Sequence, residues 1–151
     1  MGDPALPFEL RLTLRAGTVY YFVHRGLFSA EPHYFVVANP TPLTDSVLLL
    51  AVASSQVEKI RARRRGMPNA TLVTVEPAAY APFTKPTLID CNMVFELPRS
   101  ELVAKFGARE LKFHPDLPSD IVRLVQAGIL ASPRVDMAHK KIIDPNYTPP
   151  P

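Results

Sequence analysis

Apolar and polar positions alternate in short bursts through the first two-thirds of the chain, and turn residues close each burst. Residues 18–23 follow Gly17 and are mostly β-branched or aromatic, the composition of a pleated, half-buried strand. Residues 34–38 form a second such run. It stops at Asn39-Pro40-Thr41-Pro42, where two prolines withhold ladder donors. Residues 47–54 are apolar on both faces, as a buried central strand is. Residues 71–75 read as an alternating, half-buried strand, and residues 87–95 mix Leu88, Ile89, Val94 and Phe95 with Asp90 and Asn92. Five strands are therefore expected, with 24–32 as a loop and the basic stretch 56–66 as a loop or helical turn.

The period changes after residue 97. Pro98-Arg99-Ser100-Glu101 suits the first turn of a short helix, and residues 111–113 fit one last short strand. Ile121, Val122, Leu124, Val125 and Ile129 fall near helical spacing, so a helix is expected over 117–130 with Asp116 as its cap. A basic terminal helix is expected over 133–143. The fold class is thus mainly β, a partly open β-barrel or rolled sheet with C-terminal α-helices on one side. Parallel βαβ units are excluded because the early connections are too short for crossovers. One domain is expected over 1–144, with 145–151 as a disordered proline-rich tail.

Composition narrows the function classes. The chain has 151 residues, 47% hydrophobic and 21% charged, enough for one folded core. Its 17 prolines favour short strands over long helices. A net charge of +3 and a pI near 9.2 permit nucleic-acid binding without demanding it. Cys91 is the single cysteine, so an internal disulfide is excluded and a reducing compartment fits. The four histidines and Cys91 lack metal-ligand spacing, and no cofactor motif is present, so neither metal nor cofactor is expected. The longest apolar run, 47–53, is too short to span a membrane, and residues 1–4 do not open a signal peptide. A cytoplasmic location is the expectation.

The order of these segments resembles the PemK/MazF toxin family over roughly residues 16–130. Ala16-Gly17-Thr18-Val19-Tyr20-Tyr21 resembles the family's opening strand, and Val36-Val37-Ala38-Asn39-Pro40 its second. Val52-Ala53-Ser54-Ser55-Gln56 resembles a strand end that usually carries paired threonines. Thr87-Leu88-Ile89-Asp90 resembles the acid-ended fifth strand. The resemblance implies an SH3-like barrel, a homodimer, metal-independent cleavage of single-stranded RNA, and an antitoxin protein as partner. The chain departs from the family where chemistry is concerned. Cys91, Asn92 and Met93 follow Asp90 where the family has an arginine. Glu31-Pro32-His33 replaces an arginine–proline pair, and His24-Arg25 replaces an acid.

Cleavage by the 2′-hydroxyl needs a base, an acid and cations for the developing charge. His24 and His33 are candidates for acid and base, Arg25 for phosphate clamping, Ser54 and Ser55 for orienting phosphate oxygens, and Asp90 as an alternative base. Each has a structural alternative. The histidines fit as ordinary loop or strand-end residues, and Asp90 as a buried acid bonded to a loop amide. Cys91 fits as a small core residue. Lys59, Arg61, Arg63, Arg64 and Arg65 form the densest basic run, either a phosphate-contact patch or a solvated face. No aromatic lies within that run, and Tyr20, Tyr21, Tyr34 and Phe35 are expected in the core. Two functions follow: a toxin-like endoribonuclease, or a catalytically inactive barrel that binds protein or nucleic acid.

Overall fold

The structure is a computed structural model and describes residues 5–27 and 30–151. Among these, the elements are α1 (Phe8–Thr13), β1 (Val19–Phe22), β2 (His33–Val37), β3 (Val47–Ser54), α2 (Val57–Arg63), a 3-10 turn (Asn69–Thr71), β4 (Leu72–Val75), β5 (Thr87–Pro98), α3 (Arg99–Gly107), β6 (Lys112–His114), α4 (Ser119–Ala131) and α5 (Met137–Ile143). The six strands form one antiparallel sheet in the order β4-β5-β3-β2-β1-β6. That sheet is open, with β4 and β6 at its edges, so the expected barrel is corrected to an open sheet with helices.

Two-residue alternation carries apolar side chains to both faces of this sheet. Val19, Val36, Leu49, Ala51, Ile89 and Cys91 point to one core, which α4 covers through Val122, Val125 and Ile129. Tyr20, Phe22, Phe35, Leu50, Phe95 and Leu97 point to the other, covered by Leu10 of α1 and Leu102 of α3. Helices therefore lie on both sides rather than on one. The reason is α1: Leu6, Leu10 and Leu14 recur at helical spacing and are all buried, yet Phe8 and Leu12 between them are exposed. Val125 and Ile129 are fully buried, and each contributes about 1.5–3 kcal/mol of apolar transfer.

Helix starts also differ from expectation. α4 begins after Pro118, and Asp116 instead pairs with Arg15 Nε at 3.2 Å. Leu124 of the expected stripe faces solvent. α5 begins at Met137, because Asp136 caps it by accepting from the His139 N–H at 2.9 Å. Residues beyond α5 are not all detached. The Asp144 carbonyl accepts from the Tyr147 N–H at 2.9 Å, and Lys140 Nζ lies 5.2 Å from the centre of the Tyr147 ring.

One irregularity organises the sheet. Val52 pairs with Asp90, but the adjacent Ala51 pairs with Val94. β5 therefore carries Cys91, Asn92 and Met93 with no counterparts on β3, a bulge that frees their polar groups from the ladder. α4 crosses at this level. A Cβ on Gly128 would lie 2.6 Å from the Ala70 carbonyl oxygen and 2.8 Å from Cys91 Sγ, so only glycine permits the approach.

Gly128→Ala is expected to destabilise the protein by about 1–3 kcal/mol through overpacking. Gly107→Ala, whose added Cβ meets nothing within 4 Å, should instead be neutral or stabilising by up to about 1 kcal/mol. Urea denaturation of the two variants checks the contrast, and equal effects would mean that α4 does not close on β5 at Gly128.

Candidate functional site

The six candidate catalytic residues divide among three places. His24 and Arg25 follow β1 and line a cavity of about 550 Å³ with Glu96, Glu101, Lys105 and Glu110. The His24 ring packs against Phe22, Phe35 and Phe95, with centroids 5.1–6.0 Å apart. Its Nδ1 accepts from the Gly26 N–H at 2.8 Å, which leaves the proton on Nε2 for donation to the Glu96 carbonyl at 3.3 Å. Both ring nitrogens are therefore engaged in holding the loop.

His33, Ser54 and Ser55 meet in a second cavity, of about 390 Å³, between the ends of β2 and β3 and the segment 82–87. His33 Nδ1–H donates to the Glu31 carbonyl at 3.0 Å, so the neutral ring keeps Nε2 as an acceptor. Ser54 Oγ accepts from the Gln56 N–H at 3.1 Å. Lys85 and Thr84 line the same cavity, as do the rings of Tyr21, Tyr34 and Phe83. Tyr21 and Tyr34 lie tilted at 45° with centroids 4.7 Å apart, and Phe83 meets Tyr34 edge-on at 5.3 Å. Tyr21 and Tyr34 are half-buried at this rim, Tyr34 also packing on the core beneath it, whereas Tyr20 and Phe35 are buried as expected. These rings, with Lys85, are the site residues that sequence reasoning missed. The alternation of Val19-Tyr20-Tyr21-Phe22 carried the signal, since Tyr21 must face opposite to the buried Tyr20.

Asp90 reaches neither cavity. It is buried on β5, where Arg64 Nε donates to its Oδ2 at 2.8 Å and Asn92 donates to its Oδ1 through N–H and Nδ2 at 3.0 and 3.1 Å. Asn92 Nδ2 also donates to Thr71 Oγ1 at 2.9 Å, and Ser132 Oγ donates to Asn92 Oδ1 at 2.7 Å. This network joins α2, the 3-10 turn, β5 and the end of α4. Beside it, burial and then the Asp90 carboxylate raise the Cys91 thiol well above its ordinary range, so it is no thiolate nucleophile.

The basic run divides by helical geometry. Lys59, Arg61, Arg63 and Arg65 are exposed on and just after α2, and Arg61 Nη2 donates to Thr74 Oγ1 at 3.0 Å. Arg64 turns inward to Asp90 and leaves the exposed patch to which the sequence assigned it. α2 starts just after Ser55 and Gln56, so the exposed cations continue from the second cavity. Among the described residues, no three His, Cys, Asp or Glu side chains gather as metal ligands. No helix among them is long and apolar enough to cross a membrane. No known family model matches the chain, and no curated protein matches it in sequence.

Arg64→Met is expected to cost about 3–5 kcal/mol, because it strands a buried carboxylate. Adding Asp90→Asn should recover part of that loss. A double-mutant cycle by chemical denaturation checks the coupling, and additive effects would contradict it.

His114 faces Tyr21 and Tyr34 across 6.1 and 5.0 Å, and burial, then Lys112, lowers its pKa below the ordinary value of 6.5. The neutral ring is favoured in the fold. Its contribution to stability is therefore complete above pH 6.5 and declines as pH falls below it. His114→Gln should flatten that acid-side decline in a pH series of melting temperatures. An unchanged slope would exclude His114 as the cause.

Proposed function

We propose that this domain binds single-stranded RNA, or a polyanion like it, through the Tyr21–Tyr34 cavity and the exposed cations of α2, without cleaving it. The observation that carries this reading is the separation of the candidate catalytic residues. His24 and His33 line different cavities, both nitrogens of His24 are engaged, and Asp90 is bound to Arg64. Acid–base cleavage needs two such groups around one phosphate. Binding needs less: ring surface for bases, hydroxyl and ammonium donors for phosphate, and a cationic track. Tyr21, Tyr34, Ser54, Ser55 and Lys85 supply the first two, and Lys59, Arg61, Arg63 and Arg65 the third.

Cleavage remains the second reading, favoured by His33 standing with Ser54 and Ser55 in one cavity. Kinship with PemK/MazF toxins, with a homodimer and an antitoxin partner, draws its support from the order of strands and from the acid on the fifth.

Fluorescence anisotropy with short single-stranded RNAs at several salt concentrations tests the proposal. The triple variant R61Q/R63Q/R65Q should reduce the magnitude of the log–log salt slope by about 2, at about 0.7 per neutralised phosphate. Tyr21→Leu should weaken binding about ten- to hundredfold, as loss of one stacked base does. Unchanged affinity in both variants would overturn the binding reading. Cleavage in EDTA that Ser54→Ala or His33→Gln abolishes would replace it with the nuclease.

A further inference from the structure

Arg64 is held by one hydrogen bond where its guanidinium has several to give. Its side chain is only 3% exposed, its Nε is taken by Asp90 Oδ2, and its Nη2 has no acceptor among the described residues. The usual forked pairing fails for a local reason. Asp90 Oδ1, which a second donor would take, already accepts from the Asn92 N–H and Nδ2. A buried donor without a partner is destabilising, and native proteins rarely leave one on a charged group.

Arg64 also forms part of the wall of a cavity of about 250 Å³, together with Asn92, Met93, Arg134, Asp136 and His139. Arg134 is exposed there, its guanidinium has no ion-pair partner among the described residues, and its N–H is held by Ser132 Oγ at 3.1 Å. The carboxylates nearby are turned to His139, which lines the same cavity. Asp136 accepts from the His139 N–H, and Glu96 Oε1 lies 2.6 Å from His139 Nε2. Two arginines therefore line one small space, the Arg64 Nη2 lying enclosed behind its wall. The volume is below the roughly 300 Å³ at which drug-sized sites begin.

We propose that this cavity is a binding site for a small oxyanion, namely a phosphate group, clamped between Arg64 and Arg134. Guanidinium donors match phosphate oxygens in pairs, and the buried one loses least to solvent screening. The Nη2 group is enclosed, so the oxyanion reaches it by displacing Met93, an exposed side chain of the wall. The wall includes none of Lys59, Arg61, Arg63 and Arg65 and shares no residue with the Tyr21 cavity, and the site does not depend on RNA binding.

Isothermal titration calorimetry of the full chain at constant ionic strength tests this, with inorganic phosphate in one arm and a nucleoside 5′-monophosphate in another. Both should bind at one site, and tighter binding of the nucleotide would identify a phosphate ester as the source. Arg134→Gln should weaken both about ten- to hundredfold, the loss expected for one charge-assisted clamp. Met93→Glu, which sets a carboxylate on the exposed rim, should do the same. The R61Q/R63Q/R65Q variant should bind phosphate as the unmodified protein does, even where it has lost RNA. No heat of binding in either arm, or phosphate affinity indifferent to both Arg134→Gln and Met93→Glu, would overturn the proposal.

Discussion

A carboxylate taken out of water must find compensating donors, and Asp90 is 4% exposed in the middle of the sheet. Much of the arrangement around it follows from that need. β5 breaks its pairing with β3 directly after Asp90, and the three bulged residues bring Asn92 back onto the Asp90 carboxylate. α2 turns Arg64 inward to neutralise it. Asn92 then holds Thr71 and Ser132, so the 3-10 turn and the end of α4 are fastened to the same point. A chain of bonds in a low-dielectric setting is worth more than its members taken singly, and loses most when one is removed.

The two-sided sheet explains how the candidate chemistry is distributed. Successive residues of a strand face opposite layers, so His24, packed among Phe22, Phe35 and Phe95, belongs to the core that α1 and α3 cover. Tyr21 and Tyr34 open on the other side, toward Phe83 and His114. Residues near in sequence thus serve different cavities. What gathers at the ends of β2 and β3 is a set suited to holding a ligand: rings, hydroxyls and one ammonium, beside the Glu31 carboxylate and the His33 imidazole.

Charge is partitioned in the same way. The net +3 of the whole chain says little about any surface. Around α2, the turn of the helix sends four cations to solvent and one into the sheet. The exposed four act through long-range attraction that salt screens. The buried one acts at contact distance, through directed donors in a medium of low dielectric, and screening reaches it far less.

Sequence alone determined the features that depend on neighbours along the chain. The strand β3 at Val47–Ser54, the other four early strands to within a few residues, and the stripe Ile121, Val122, Val125 and Ile129 all follow from local periodicity. Tertiary structure decided the rest, because it depends on residues far apart in the chain. Whether the sheet closed was settled by which strands became edges. Whether helices covered one face or two was settled by Leu6, Leu10 and Leu14 docking on the aromatic layer. Arg64 follows the buried Ile60 by one helical turn, but that spacing does not name its partner. It became a buried partner because a carboxylate 26 residues away stood beneath it. Asp90 was thereby turned from a candidate base into the counter-ion that holds α2 to the sheet, since a buried charge is governed by the groups that surround it in space.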